Sequence, residues 1–572
     1  MNFLELLPLK TVLLTTCFVA SFAHSATLTV GKGGAFDYST ISAGVAGSAT
    51  GDTILVGSGI YDATDGEIFP IEIDKEISII GSSSAETVVD ATGSGTVVFQ
   101  IVEAAGFQIA NLVIKGGNGM GAGGVHAIDS SGVIESCRFE RNVGIPAGAI
   151  YLEKSVCDIS RCHFSNNQAV QALGSDNLQA GAGVLATGSA IGEINITGSV
   201  FTANSSGGRA GVIGFFSFTP IRIDGCEFTE NRPSSYHGEF ALVYLGNLTQ
   251  ETVMSNCMIQ DNSGIPDQLI SSAIRCYDFH KLHLIGNDIS RNHFMDGARL
   301  QNAIISNCYI AENDGNGIYA VDLELEDSIV DSNEGAGILI SQNSVFLGIK
   351  NSTISNNGLS PDANQTAAAG IDCQFAARVD IVNSTISGNT SRFNATGGIY
   401  VKTPRFQMTN TVVVGNQSLP DGLGVGGLLL DGGTNSIENK MANCTFQGNQ
   451  GAVSELKFLG IVSATVSNTI VWGATPSLVS ENSTVAFDHC DLSDFQPGAG
   501  NISLDPLFVR EWDGQEADLH FACASPCLDA GASIPDVTED LSGYPRLLGK
   551  SIDMGAYENC HFDVNGDRSE DV

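Results

Sequence analysis

The chain has 572 residues, of which 43% are hydrophobic, and it carries 63 acidic against 26 basic side chains, a formal net charge of −37. The apolar content excludes a disordered chain. The negative charge excludes nucleic acid and anionic membranes as natural partners, because both attract positively charged surfaces. A polyanionic glycan would also be repelled unless a divalent cation bridged it.

Residues 1–25 have the pattern of a secretory signal. An apolar stretch runs from Thr11 to Phe22, and Ala23 and Ser25 are small residues at the positions that precede a cleavage site. We therefore expect a secreted protein that is extracellular or attached to the cell surface. No other stretch approaches the about 18 apolar residues of a membrane span, so any membrane contact is expected to be peripheral.

Residues 26–118 contain short β-branched runs that Gly, Asp and Ser separate, a pattern that predicts strands. Five segments carry the pattern: Gly33–Ile41, Gly51–Ile54, Gly59–Tyr61, Ile77–Gly81 and Thr87–Asp90. They resemble the opening coils of pectin-lyase-like β-helix proteins, such as the pectinesterases. The resemblance implies that these residues are the N-terminal coils of a β-helix and is much less specific for activity.

Residues 119–500 repeat a six-residue unit: a small residue, any residue, an apolar residue, any two residues, and Asn. The clearest copy runs from Cys137 through Phe139 to Asn142. The closing residues are 20 to 37 positions apart, which is typical of a solenoid. The twelve closing residues are Asn142, Asn167, Asn204, Asn231, Asn262, Asn292, Asn313, Asn333, Asn357, Asn389, Asn416 and Asn449.

Runs of Gly or Ala followed by an aliphatic residue, such as Gly123-Gly124-Val125, accompany the unit. Two or three short strands per coil without a helical period predict an all-β protein, a right-handed parallel β-helix of the pectin-lyase-like type. Within a strand, residues i and i+2 share a face, so the small and apolar positions point inward. The closing Asn residues are expected to bond to each other between coils, and the cysteines of the small position to be buried free thiols.

The paired Phe-x-x-Asn and Gly-Gly-aliphatic runs also resemble the repeats of polymorphic outer-membrane proteins and related adhesins. That resemblance implies a structural surface protein or adhesin as an alternative.

Residues 501–558 have a different character. Their motifs are Asp505-Pro-Leu-Phe508, Ser525-Pro-Cys-Leu-Asp529 and Asp553-Met-Gly-Ala-Tyr-Glu558. They resemble the choice-of-anchor type of module that closes many secreted bacterial β-helix proteins, which implies a cap on the last coil and an attachment partner for the tail that follows. Cys523 and Cys527 lie outside the repeat and are the disulfide candidates.

Residues 559–572 place acidic, amide or hydroxyl oxygens at alternate positions, which predicts a calcium site. The candidate ligands are Asp563, Asn565, Asp567, Ser569 and Asp571. The tail resembles a truncated dockerin loop, but Arg568 replaces the expected glycine and the twelfth ligand is missing. A solvated acidic tail is the alternative.

The best local candidate for catalysis is a run of charged residues between Arg275 and Arg299. Arg275, Asp278, His280 and Lys281 are its candidate catalytic residues. A Lys or Arg base beside a carboxylate-bound cation is the chemistry of uronate lyases. A solvated turn with ordinary ion pairs is the alternative.

The residue that follows each Gly-aliphatic pair is expected to face outward. We expect an aromatic stripe there, with Tyr151, Tyr319 and Tyr400 as candidate substrate-binding residues that stack on sugar rings. Packing beneath long loops is the alternative. The full predicted row is His126, Tyr151, Leu185, Ile213, Arg275, Leu300, Tyr319, Leu339, Asp372, Tyr400 and Leu429.

These patterns predict a secreted or cell-surface β-helix protein that binds a polysaccharide or cell-surface glycan without catalysis. The first alternative is a polysaccharide lyase or hydrolase of the pectate-lyase-like type, acting on uronate-containing glycans. The second is a structural surface protein. Calcium is the only cofactor that the sequence suggests.

Overall fold

The computed structural model describes residues 25–170, 179–234, 240–246, 248, 252–266, 271–278, 280–341, 343–358, 368–392, 395–419, 424–432, 438–535 and 537–558. The described chain winds into a parallel β-helix, as the repeat predicts. Each complete coil contributes one strand to each of three sheets, in the order first sheet, third sheet, second sheet along the chain. Within each sheet, the equivalent strands of successive coils pair in parallel.

The first sheet holds the strand that precedes each six-residue unit. Asp296–Ser306 and Ile318–Glu326 run through both the second and the first sheet. The other strands of the first sheet are Thr27–Val30, Thr53–Val56, Ser78–Gly81, Ala105–Ala110, Ser131–Glu135, Val156–Ser160, Ile194–Thr197, Ile221–Asp224, Thr252–Ser255, Leu282–Ile285, Phe346–Lys350, Arg378–Val382, Arg405–Thr409, Glu438–Ala442, Ser463–Ser467 and Thr484–Asp488.

The second sheet holds the Gly-aliphatic runs. Besides the two shared strands, its members are Ile71–Ile73, Phe99–Val102, Val125–Ile128, Ile150–Glu153, Val184–Thr187, Ala210–Phe216, Phe240–Gly246, Ser271–Cys276, Ile338–Ile340, Ile371–Cys373, Ile399–Lys402, Leu428–Asp431, Leu456–Leu459 and Leu478–Glu481.

The third sheet holds the six-residue units themselves. Its strands are Gly59–Asp62, Thr87–Asp90, Val113–Lys115, Arg138–Glu140, His163–Ser165, Val200–Thr202, Glu227–Thr229, Met258–Gln260, Asp288–Ser290, Tyr309–Ala311, Ile329–Asp331, Thr353–Ser355, Thr385–Ser387, Val412–Val414, Thr445–Gln447, Ile470–Trp472 and Asp491–Leu492. Short strands follow at the next corner of some coils: Asn118–Ala122, Val143–Ala147, Gln168–Ala169, Ser205–Ser206, Arg232–Pro233, Thr390–Ser391 and Gln417–Ser418.

The core is a column of side chains that repeats from coil to coil. Phe139, Phe164, Phe201 and Phe228 are fully buried and stack with ring centroids 4.5 to 4.9 Å apart. The seven cysteines of the small position are buried free thiols, which confirms that prediction: Cys137, Cys162, Cys226, Cys257, Cys308, Cys444 and Cys490. A thiol fills the tight inner corner that Ser fills in other coils.

The predicted asparagine ladder is present. Asn231 illustrates one rung: its Oδ1 accepts hydrogen bonds from the backbone N–H and the Nδ2 of Asn204, both at 3.0 Å. Its own Nδ2 donates to the carbonyl of Phe201 and to Oδ1 of Asn262, both at 2.9 Å. The last rung, Asn449, donates its backbone N–H and its Nδ2 to the carboxyl group of buried Glu455, which ends the ladder.

A single α-helix among the described residues, Ile41–Gly47, covers the N-terminal end of the core. It inserts Ile41 and Val45 into the core. The carboxylate of Glu67 accepts hydrogen bonds from the N–H groups of Ile41 and Ser42 at 2.7 and 2.8 Å, which satisfies the first turn. A 3₁₀ turn, Ala63–Asp65, follows the first strand of the third sheet.

The C-terminal segment, residues 505–558, packs on the outer face of the third sheet along the last coils. Its one hairpin pairs Phe508–Arg510 with Asp518–Phe521 in antiparallel fashion. The segment buries outward-facing Val412, Val414 and Ile470. This apolar face would otherwise be exposed to water, which explains why the segment lies beside the coils. Its Cys527 also contacts Asp491 of the last coil, and the predicted capping role stays a prediction.

The cysteines of this segment differ from the prediction. Cys523 is disulfide-bonded. Cys527 is a buried free thiol that donates to Oδ2 of Asp491 at 3.2 Å, so its assignment as a disulfide cysteine is wrong. Both cysteines lie outside the repeat, so sequence position could not show which of them forms a disulfide. The contact that occupies Cys527 is made with a residue 36 positions earlier in the chain.

Trp512 attaches the C-terminal segment to three corners of the β-helix. Gly388, Gly415 and Gly448 turn these corners with φ of 63°, 66° and 68°. A Cβ on Gly415 would lie 2.2 Å from the indole of Trp512. Because the three glycines have no side chains, they form a groove that accommodates this indole. The Trp512 backbone N–H also donates to Oε1 of Gln447 at 2.9 Å.

We expect Trp512→Ala to weaken the attachment of residues 505–558 by about 3 kcal/mol, because a large aromatic contact is lost. Limited proteolysis should then cut this segment at lower protease concentration while the coils stay intact. Phe495→Ala, at a side chain that is 56% exposed, is the control and should leave the pattern unchanged. Equal cleavage of the two variants would contradict the role of Trp512.

Candidate functional site

The outer face of the second sheet carries one side chain per coil in strict register, a set that we call the outer row. Neighbouring strands of a sheet are about 4.8 Å apart, so the row is a straight line of closely spaced groups. Its members from His126 onward are His126, Tyr151, Leu185, Gly214, Tyr244, Arg275, Arg299, Tyr319, Leu339, Asp372, Tyr400, Leu429, Lys457 and Val479.

Two predicted members of the row are wrong. Ile213 and Leu300 point inward and belong to the main core, and their neighbours Gly214 and Arg299 face outward instead. A shift of one residue exchanges the two faces of a strand, and the Gly-aliphatic motif does not define the register in these two coils. Arg299 is therefore a member of the row that the motif did not predict.

At the N-terminal end of the row, His126 and Tyr151 stack with ring centroids 4.8 Å apart. The Nε2 of His126 lies 3.3 Å from the carboxylate of Glu153, and the Tyr151 hydroxyl lies 2.8 Å from that of Thr187. Burial lowers the pKa of His126 and raises the pKa of Tyr151, so both are uncharged at neutral pH. Tyr151 is half-buried and ordered by these contacts.

Two arginines are neighbours in the middle of the row. The guanidinium of Arg275 is fully buried, lies 4.3 Å from the ring centroid of Tyr277 and donates to its hydroxyl. The guanidinium of Arg299 lies 4.1 Å from the ring centroid of Tyr319. The outer row therefore has a cationic centre on an otherwise strongly acidic protein.

Asp296 holds Arg299 in place. Its Oδ2 lies 3.1 Å from Nη1 of Arg299, and its Oδ1 accepts hydrogen bonds from the backbone N–H and Nδ2 of Asn316 at 2.7 and 3.0 Å. Burial raises the pKa of Asp296, although Arg299 and the Asn316 hydrogen bonds act in the opposite direction. Arg299 has 17% of its side chain exposed, so solvent reaches it, unlike fully buried Arg275.

The other predicted catalytic residues do not converge with Arg275. Asp278 and His280 are brought together at the corner that follows, with Oδ1 and Nδ1 3.2 Å apart. Lys281 instead extends along the first sheet, where its Nζ donates to Glu324 at 2.7 Å. Their catalytic role stays a prediction, since the described contacts pair Asp278 with His280 and Lys281 with Glu324.

Tyr400 lies in the C-terminal part of the row, next to fully buried Asp372. Its hydroxyl donates to Oδ2 of Asp431 at 3.3 Å, and Lys402 approaches the same oxygen at 3.5 Å. Burial, together with the negative charge of Asp431, raises the pKa of Tyr400 to about 12. The three tyrosines predicted to bind substrate are thus all in the row and all half-buried.

No group of three or more His, Cys, Asp or Glu side chains within the described ranges could hold a metal ion. The predicted calcium ligands, Asp563, Asn565, Asp567, Ser569 and Asp571, lie outside these ranges, as does nearly all of the predicted signal. The described residues include no helix that is long and apolar enough to cross a membrane.

The family model of the right-handed β-helix region matches residues 74–214, 209–347 and 323–471. These overlapping matches cover well over half of the chain, so the protein belongs to the right-handed β-helix family. The predicted fold, including its handedness, is thereby confirmed. No curated protein matches the chain significantly.

Several solved structures of polysaccharide-modifying enzymes are similar to the chain. The pectin methylesterase of Aspergillus niger has 16% identity over 47% of this chain and 86% of its own, with a TM-score of 0.26. A mannuronic acid-specific polysaccharide family 6 lyase from human gut microbiota has 10% identity over 73% and 86%, with a TM-score of 0.31. Pectate lyase Pel9A has 13% identity over 94% and 98%, with a TM-score of 0.18. Similarity of this degree carries no argument about activity.

Proposed function

We propose that this protein is a secreted or cell-surface β-helix protein that binds a polysaccharide along the outer row without cleaving it. The observation that supports it best is the register: tyrosine rings and the partly exposed guanidinium of Arg299 lie in one line across the strands of the second sheet. A long polymer can follow such a line, with ring stacking on tyrosine and hydrogen bonds to charged groups.

The surface that a sugar chain would contact runs from Arg299 to Lys457. Arg299, Tyr319 and Tyr400 are all partly exposed there. Aliphatic Leu339 follows Tyr319 in the row, and Leu429 lies between Tyr400 and Lys457. The Tyr319 hydroxyl makes no hydrogen bond to the described residues and is therefore available to a ligand. A sugar ring has apolar C–H faces and hydroxyl groups at its edge, and the apolar and hydrogen-bonding side chains of the row are complementary to these two surfaces.

Binding without cleavage is favoured over a lyase reaction by the contacts of the predicted catalytic residues. A general base must come within hydrogen-bond reach of the proton that it removes. Arg275 is fully buried under Tyr277, and Lys281 is paired with Glu324. Neither group is presented to a polymer on the outer row.

We expect Tyr319→Ala to weaken polysaccharide binding about tenfold, because it removes a ring from the middle of the proposed surface. The test is calorimetric titration with neutral and uronate polymers, with and without calcium, which the tail is predicted to bind. Tyr309→Ala is the matched control, since Tyr309 is a half-buried tyrosine of the third sheet. An equal loss in both variants, or no binding by the parent protein, would refute the proposal.

The same polymers, incubated with the protein and calcium, should give no rise in the absorbance of unsaturated products. A rise that disappears in Lys281→Ala would instead support the lyase alternative.

A further inference from the structure

A cavity of about 450 Å³ lies in the C-terminal segment, on residues that the outer row does not include. Ligand sites in proteins are commonly about 300–1,000 Å³ and mostly apolar, with a few polar groups that orient the ligand. The apolar wall of this cavity is formed by Ile534, Val537, Leu547 and Ile552. Leu547 is 65% exposed, so one side of the wall is open to solvent.

Arg546 lines the cavity and is 2% exposed. Its Nη2 donates to Oδ1 of Asn410 at 2.6 Å and to the carbonyl of Ala556 at 3.1 Å, which fixes the guanidinium. Its Nε is buried and has no hydrogen-bond partner among the described residues. A buried donor without an acceptor is costly, so this N–H indicates a missing partner with a lone pair.

Three carboxyl groups, Glu558, Asp540 and Asp553, act on the charge of Arg546, although burial still lowers its pKa. Glu558 is the one carboxyl group in the described chain within ion-pair distance, at 3.6 Å. Burial, reinforced by the charge of Asp553, raises the pKa of Glu558 to about 8. The oxygens of Asp540 accept hydrogen bonds from the backbone N–H groups of Tyr544 and Glu558 and not from Nε of Arg546.

Lys550 adds a second cation to the lining. Its backbone N–H donates to Oδ1 of Asp529 at 2.7 Å, which fixes the chain. Its ammonium group forms no ion pair with any described carboxylate. The hydroxyls of Ser533 and Thr538 also line the cavity and make no hydrogen bond to described residues. Two cations, two free hydroxyls and no carboxylate line this cavity in the described part of a chain with net charge −37.

We propose that this cavity binds a small organic carboxylate with an aliphatic substituent. The carboxylate would accept hydrogen bonds from Arg546 and Lys550, because charge-assisted bonds of this type are the strong ones. The aliphatic part would lie on Ile534 and Val537 and leave water there. This is a second binding site, independent of the polysaccharide surface.

The test is calorimetric titration of the full chain with hexanoate, with hexanol and hexylamine as probes of the same length. Hexanoate is expected to bind with a Kd of about 1 mM or lower, and the other two at least about tenfold more weakly. Lys550→Glu should abolish hexanoate binding without a change in the thermal unfolding midpoint. Lys440→Glu, on the first sheet, is the matched control and should bind like the parent protein.

Three results would overturn the proposal: no binding of hexanoate at about 10 mM, which is ten times the expected Kd; hexanol binding as tight as hexanoate binding; or hexanoate binding by Lys550→Glu as tight as by the parent protein. Arg546 is not used as the primary variant, because its buried contact with Asn410 also supports the fold.

Discussion

Asn231→Leu is expected to lower the free energy of unfolding of the surrounding coils by roughly 4 kcal/mol. The side chain is fully buried and takes part in four hydrogen bonds. Leucine has nearly the same volume but leaves two N–H groups of Asn204 without an acceptor and removes the side-chain donor to the carbonyl of Phe201. Oδ1 of Asn262 loses one of its two donors and keeps the backbone N–H of residue 231 at 3.0 Å. Each unsatisfied group costs about 1–3 kcal/mol, and no water reaches the site to replace the amide.

Amide hydrogen exchange of Asn204 gives the local readout, because its backbone N–H loses its acceptor. We expect faster exchange there and a lower urea midpoint for the whole chain. Asn195→Leu is the control, since Asn195 lies on the outer face of the first sheet and its side chain bonds to Asp158 alone among the described residues. A midpoint for Asn231→Leu as high as that of the control would show that the ladder contributes little.

The stability of the protein is expected to fall as the pH rises from about 5 to 8, and Glu455 and Glu558 are the two glutamates that we expect to contribute most. Burial raises the pKa of Glu455 to about 8, well above its usual value near 4.5, despite its hydrogen bonds from Asn449. Below the unfolded pKa the group is protonated in both states and costs nothing. Between the two values only the unfolded chain releases the proton, so the free energy of unfolding decreases, by on the order of 4 kcal/mol in total.

Urea unfolding between pH 5 and 9 measures this slope. Glu455→Gln cannot ionise and should make the slope less steep without abolishing it, because Glu558 still contributes. Glu481→Gln should leave the slope unchanged, because Glu481 is half-exposed and paired with Lys457. Other buried carboxyls, such as Asp491, contribute equally in all three proteins and cancel in the comparison. A slope that Glu455→Gln does not alter would mean that the carboxyl group is solvated.

The fold could be predicted because its determinants are local and periodic. The spacing of Cys137, Phe139 and Asn142 alone defines an inward, inward and corner position, and repetition in eleven further copies predicts both the stack and the ladder. The outer row was predicted in part, since Tyr151, Tyr319 and Tyr400 follow the same motif. The prediction of the row failed at Ile213 and Leu300, where the Gly-aliphatic pattern does not show which residue of the strand faces outward.

Contacts without a period could not be predicted. Glu455 ends the ladder from the position just before the strand Leu456–Leu459, where the two preceding coils carry Gly427 and Gly398, so no repeat indicated it. Arg546 reaches Asn410 across 136 residues, and Trp512 reaches Gln447 across 65. The burial of Arg275 and Asp372 was equally unpredictable, because it depends on what covers the outer face and not on their own strands.

The asparagine ladder also bears on how such a protein changes in length. Every internal rung is hydrogen-bonded to an asparagine of the coil before it and of the coil after it. One whole coil could therefore be added or removed between two rungs, and the asparagine amides would still be hydrogen-bonded to each other. The final rung differs, because Asn449 relies on Glu455. Evolutionary or engineered growth of this β-helix is therefore expected by duplication of interior coils, with residues 449–455 kept as a unit at the end.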